Sequence, residues 1–152
     1  MTRTGTTSLV LAAVAAAALY YVLPFGSRAP SVSSGPAAAN GDGGGDPIVE
    51  VALPETLSAN AQMGKTIFEG VCAACHGLNA AGKEDVAPPL VHKIYEPSHH
   101  ADMAFVMAAR NGVRAHHWRF GNMPPVEEKL TDAEIASIVR YIRELQRENG
   151  IF

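Results

Sequence analysis

The chain carries only two cysteines and one tryptophan in 152 residues, and 7% of it is aromatic. Two thiols cannot build a four-ligand structural zinc site, and no second C-x-x-C or H-x-x-x-H supplies the remaining ligands. No excess of positive charge exists either: 12 Lys/Arg face 15 Asp/Glu, for a net charge of −3 and a pI near 6.0, so nucleic acid is not an expected partner. No segment alternates long enough to demand a strand, which removes the βαβ setting of a thioredoxin-like C-x-x-C pair. Internal repeats are absent as well.

Much of the 47% hydrophobic fraction lies in one N-terminal run, Ser8 to Phe25. As a helix this run is about 27 Å long, close to the hydrocarbon thickness of a bilayer. Arg3 and the α-amine precede it, which favours a cytoplasmic N-terminus. A cleavable signal peptide has a shorter apolar region, and the cleavage sites on offer are poor. Ala16-Ala17-Ala18 lies inside the run, Ser27-Arg28-Ala29 is followed by Pro30, and Ala37-Ala38-Ala39 lies too far beyond it. An uncleaved anchor over residues 1–25 is the favoured expectation. Either version puts the remainder outside the cytoplasm, on the periplasmic face of a bacterial inner membrane. Residues 26–55, rich in Ser, Pro, Ala and Gly and containing Asn40-Gly-Asp-Gly-Gly-Gly-Asp-Pro, read as a flexible linker. Its root-mean-square span of about 30 Å suits a domain that swings between membrane complexes, or a plain spacer.

Residues 56–152 read as a small all-α domain whose core a large apolar cofactor would help complete. Ser58 caps a helix running to about Val71, with Met63, Ile67 and Val71 on one face. Gly64, one turn before Phe68, admits a second helix closely. That partner is expected to be the last helix, which opens on the capping box Thr131-Asp132-Ala133-Glu134. Ile135, Ile138, Val139, Ile142 and Leu145 recur along it at helical spacing, with Arg140, Arg143, Glu144, Arg147 and Glu148 on the other face. Asp102 to Asn111 forms a helix that Gly112 stops, and Leu90 to Tyr95 a shorter turn.

The cysteines belong to Cys72-Ala73-Ala74-Cys75-His76, the C-x-x-C-H signature of c-type haem attachment. Each thiol adds across a haem vinyl group, and the next imidazole is placed to bind iron. A thiol-redox pair, half a zinc site, or a histidine beside a structural disulfide are the competing readings. A second axial ligand must come from Met103, Met107, Met123 or one of His92, His99, His100, His116 and His117. Met103 and Met107 lie four apart on a helix, where core packing is their expected role. Met123 lies in a loop between Gly121-Asn122 and Pro124-Pro125, whose prolines restrict the backbone that would aim a thioether. It is the expected ligand, with a histidine next. His/Met ligation raises the reduction potential and fills both axial positions, which suits passing single electrons rather than transforming a substrate.

In family order, the chain also shows Gly64-x-x-x-Phe68-x-x-x-Cys72, Ala87-Pro88-Pro89-Leu90, Gly121-Asn122-Met123-Pro124 and Val139-Arg140-Tyr141-Ile142. With the Cys72–His76 motif these pieces resemble a class I cytochrome c, and the short His76–Met123 interval resembles its small bacterial members. The resemblance implies N- and C-terminal helices crossing beside one covalently bound haem c, with His76 and Met123 as iron ligands. It also implies that Pro88 supplies the carbonyl accepting the outer N–H of His76. The anchor and linker lie outside it.

Trp118 is a candidate indole donor to a haem propionate, and Arg114 and Arg119 are candidates to screen propionate charge. His99-His100 and His116-His117 suggest a metal site or a docking surface, although solvated side chains are the plainer expectation. From Thr56 onward the charges nearly cancel, so strong electrostatic steering is not expected; a local patch at Arg110, Arg114 and Arg119 stays open. The function expected is single-electron transfer by a monomeric, membrane-tethered carrier that is not itself an enzyme. It would shuttle between respiratory or periplasmic redox partners. The alternative is a haem subunit of a larger dehydrogenase or oxidase complex.

Overall fold

A computed structural model describes residues 45–152. The expected membrane anchor and most of the linker lie outside the described residues. Among those described, no helix is long and apolar enough to cross a membrane.

Helix α1 spans Ala59–Val71, and the Ser58 hydroxyl accepts a hydrogen bond from the backbone N–H of Ala61 at 3.3 Å. A four-residue helix, α2 (Ala73–His76), follows directly, with Cys72 as the joint between them. Single 3₁₀ turns occupy Leu78–Ala80 and Lys93–Tyr95, and α3 spans Asp102–Asn111. The last helix, α4 (Asp132–Glu148), opens on a complete capping box. Thr131 Oγ1 accepts from the Glu134 N–H at 3.2 Å, and the Glu134 carboxylate accepts from the Thr131 N–H at 2.7 Å. Among the described residues the only β pairings are two isolated antiparallel bridges, Lys83 with Ala87 and Val113 with Met123. The domain is all-helical, as expected.

Helices α1 and α4 meet backbone to backbone at Gly64. A Cβ added there would sit 1.9 Å from the Ser137 carbonyl oxygen, so no other residue allows this approach. Around this contact Phe68 packs edge-on against Tyr141 with ring centroids 5.8 Å apart, and both are fully buried with Ile142 and Leu145. The contact also selects the buried face of α1. Ala61, Gly64 and Phe68 are buried; of the expected stripe Ile67 packs on the core and Val71 lines a cavity, but Met63 is 57% exposed. Hydrophobicity ranks Met above Gly and Ala, but closeness of the partner backbone decides which face turns inward.

Three further expectations need correcting. Met103 is 63% exposed rather than packed in the core, Met107 lines a cavity instead of packing in the core, and no residue of α3 is fully buried. Arg143 is not on the outer face of α4; it is 5% exposed, paired with the surface carboxylate of Asp102 and hydrogen-bonded to interior carbonyl oxygens. Residues 46–55, the end of the expected linker, are not free. Val51 packs on the core, and the Asn149 side chain exchanges two hydrogen bonds of 2.9 Å with the Ala52 backbone.

Candidate functional site

A cavity of about 890 Å³ opens between α1, α4 and the loop that follows α3. Its wall includes Phe68, Ile138 and Ile142 together with Cys72, Cys75, His76, Pro88, Trp118 and Met123. The segments so gathered are far apart in sequence; the α1–α4 contact and the short α2 bring them to one space.

His76 ends α2 and is 8% exposed. Its Nδ1 lies 2.9 Å from the Pro88 carbonyl oxygen. A carbonyl only accepts, so Nδ1 carries the proton and Nε2 of the neutral ring keeps its lone pair. Burial pulls the imidazole pKa below its ordinary value, with the Pro88 contact opposing, so the neutral ring dominates at pH 7. Cys72 and Cys75 are free thiols, the first half-buried and the second exposed. Burial pushes the Cys72 thiol up to about 11, assisted by the Glu128 carboxylate and by Cys75. A nucleophilic redox cysteine needs the opposite shift. This weakens the thiol-redox reading.

Met123 is half-buried in the cavity wall and held by its backbone. Its N–H donates to Val113 at 3.0 Å and its carbonyl accepts from Val113 at 2.9 Å. The Asn122 side chain accepts from the Ala115 N–H at 2.9 Å, closing the 113–123 loop, and Val126 ties its far end to Ala109 of α3 at 2.9 Å. Trp118 points its indole N–H into a buried position with no hydrogen-bond partner. The ring stacks on Phe120 at 5.8 Å and meets His92 edge-on at 5.2 Å. Tyr95 lies beside it, its phenol pKa raised by burial and pulled the other way by the indole. A buried donor without an acceptor costs about 1–3 kcal/mol, so the position suits a bound group with an acceptor oxygen.

Arg114 and Arg119 are exposed and do not line the cavity. In this extended loop the inward places go to Trp118 and Phe120, and the flanking guanidinium groups turn to water. The histidines of 99–100 and 116–117 do converge, at the cavity rim. Tyr95, Val113 and Asn122 were not expected as site residues. Loop pairings of this kind leave no periodic signal.

Residues 61–146 match the family model for cytochrome c. The chain belongs to the cytochrome c family. Membership implies covalently attached haem c, and the donor set around the cavity fits that group: two thiols and an imidazole at α2, a thioether in the loop after α3, and the buried indole N–H of Trp118. This cytochrome c domain is similar to two curated proteins, both cbb3-type cytochrome c oxidase subunits CcoP. The protein from Azospirillum brasilense is 36% identical over 104 residues, covering 64% of this chain and 32% of that protein. The protein from Cereibacter sphaeroides is 33% identical over 99 residues, with the same coverage of 64% and 32%. The chain therefore spans about a third of the length of the curated relatives it matches. No solved structure gives a significant match.

Proposed function

We propose that the domain transfers single electrons through one covalently attached haem c, as the haem subunit of a larger membrane oxidase complex. The observation that carries the redox reading is the 2.9 Å contact from His76 Nδ1 to the Pro88 carbonyl. It leaves a neutral, oriented Nε2 beside two thiols in an apolar cavity. When bound, haem c supplies a one-electron iron couple, which His/Met ligation sets at a higher potential.

The chain's own residues do the rest. Cys72 and Cys75 would hold the group by thioether bonds, and His76 and Met123 would supply its iron ligands. Held by its bridge to Val113, Met123 would keep outside ligands from the iron, which would favour electron transfer over chemistry on a substrate. The Trp118 N–H would donate to a propionate. Phe68, Ile138 and Ile142 exclude water from the buried edge. Similarity to CcoP supports the oxidase-complex reading, and the Ser8–Phe25 run supports attachment to an inner membrane with the domain in the periplasm. The Gly- and Pro-rich composition of residues 26–44 supports a second reading, a tethered shuttle between complexes.

Two measurements test this. The ferric protein should show the weak far-red sulfur-to-iron band, and Met123→Ala should abolish it; a wild-type spectrum without the band rejects Met123 as ligand. In mild detergent the chain should co-migrate stoichiometrically with catalytic oxidase subunits. Migration alone, with full haem content, selects the shuttle.

A further inference from the structure

We propose that His99, His100 and His117 form a binding site for a borderline divalent transition-metal ion at the rim of the cavity, separate from the haem iron. The three come from two segments, the turn before α3 and the loop that carries Trp118 and Met123. One ring nitrogen from each lies within 4.8 Å of the other two. His99 Nε2 and His117 Nε2 are 3.3 Å apart. The edge of a tetrahedron around zinc, with Zn–N of 2.0–2.1 Å, is about 3.3–3.4 Å. That pair already stands at ligand spacing.

The surrounding contacts prepare the rings for this role. His100 donates its Nδ1–H to the Ile94 carbonyl at 2.7 Å, which leaves Nε2 as its free nitrogen. Arg143 hydrogen-bonds the His100 backbone carbonyl, so this ligand stands on the rigid side of the domain. The His116 ring lies 4.2 Å from that of His117, and its Nδ1 is engaged by the Arg114 carbonyl at 2.9 Å. This leaves its Nε2 as a candidate fourth donor in place of water. An all-imidazole set suits zinc, copper or nickel rather than magnesium or calcium. A bound ion would pin the Met123 loop to the turn before α3.

The test uses untagged, metal-stripped, haem-loaded full-length protein with Zn²⁺ alone as probe, in competition with a chromophoric chelator. One Zn²⁺ per chain is expected. His99→Ala and His117→Ala should each weaken binding at least about tenfold, the smallest loss that even an outer-shell change brings to such sites. Glu69→Gln, on the exposed face of α1 and away from the cluster, should leave the affinity unchanged. Zinc-edge X-ray absorption on the unmutated protein gives an answer independent of any variant's folding: three or four imidazole nitrogens at about 2.0–2.1 Å are expected. Absence of stoichiometric Zn²⁺ overturns the proposal. So does an absorption spectrum with fewer than three imidazoles, or an unchanged affinity in the His99→Ala/His117→Ala double variant.

Discussion

His76 donates from Nδ1 to the Pro88 carbonyl oxygen across 2.9 Å, a bond between residues twelve apart in the chain. Because the acceptor is main chain, its position is set by the backbone of residues 88–89 and by what packs beneath them. Gly82 does so: it has φ +75°, and a Cβ there would lie 2.5 Å from the Pro89 nitrogen. Gly82→Ala should therefore displace the Pro88 carbonyl and weaken its hold on the imidazole. Pro88→Ala retains the carbonyl and should do far less. The expected result is a shifted reduction potential and a stability loss of about 1–3 kcal/mol for Gly82→Ala. Equal potentials in the two variants, measured by redox titration, would count against the positioning role.

Trp118 gives a prediction whose sign is informative. Its N–H is buried and makes no hydrogen bond of standard geometry, although the Tyr95 phenol lies close enough to feel it. Trp118→Phe keeps an aromatic ring against Phe120 and deletes the donor. If a haem propionate satisfies that N–H, the variant should lose about 1–3 kcal/mol in the haem-loaded protein. A gain of stability in denaturant titrations would mean the donor is orphaned there too, and the propionate role would fall.

Arg143 holds three elements together. Its Nε donates to Asp102 Oδ1 at 2.7 Å, and Nη1 to the Tyr95 carbonyl at 2.7 Å and to Gln146 Oε1 at 2.6 Å. Nη2 donates to the His100 carbonyl, and the guanidinium lies 4.9 Å from the centre of the Phe105 ring. Arg143→Met should cost about 1–3 kcal/mol, because the His100 carbonyl and Gln146 Oε1 lose a partly buried donor, whereas Asp102 is exposed and the Tyr95 carbonyl keeps the Gln146 Nε2–H at 3.1 Å. The same change should loosen the turn bearing His99 and His100. Hydrogen exchange should therefore quicken at residues 95–102 before it does at the α1–α4 contact; uniform exchange across the domain would contradict this.

The Arg143 case also shows what a sequence can reveal. Residue 143 lies eight after Ile135 and four after Val139, within the buried stripe of α4, yet its charge argues for the outer face. Only its distant partners reverse that. Ser58, the Thr131 capping box and the Cys72–His76 motif were legible because each works within one or two helical turns. Gly64 was legible as a close-contact point, since Gly in mid-helix has few other uses. By contrast, the exposure of Met103, the docking of residues 46–55 and the convergence of four histidines depend on tertiary placement. Local patterns carry none of that.

Glu144 joins the start of α1 to the middle of α4. It accepts from the Ser58 N–H at 3.0 Å, the Ser58 hydroxyl at 2.7 Å and Arg140 Nε at 3.0 Å. Burial alone would raise its pKa, but these donors outweigh it and hold the carboxyl below its ordinary value of 4.5. A carboxylate with a depressed folded-state pKa binds protons more readily in the unfolded chain. Its stabilising share is therefore complete above about pH 4.5 and is lost as the pH falls through the lower, folded value. Glu134, also depressed through its bonds to Thr131, contributes in the same window, so Glu144→Gln should flatten the acid limb without abolishing it. Ser58→Ala removes both the cap and one donor and should cost about 1 kcal/mol near neutral pH. The check is the denaturation midpoint against pH. Glu144→Gln should fall below the wild type at pH 7 and converge on it toward pH 3; a constant gap across that range would show that the charge is not what the carboxylate contributes.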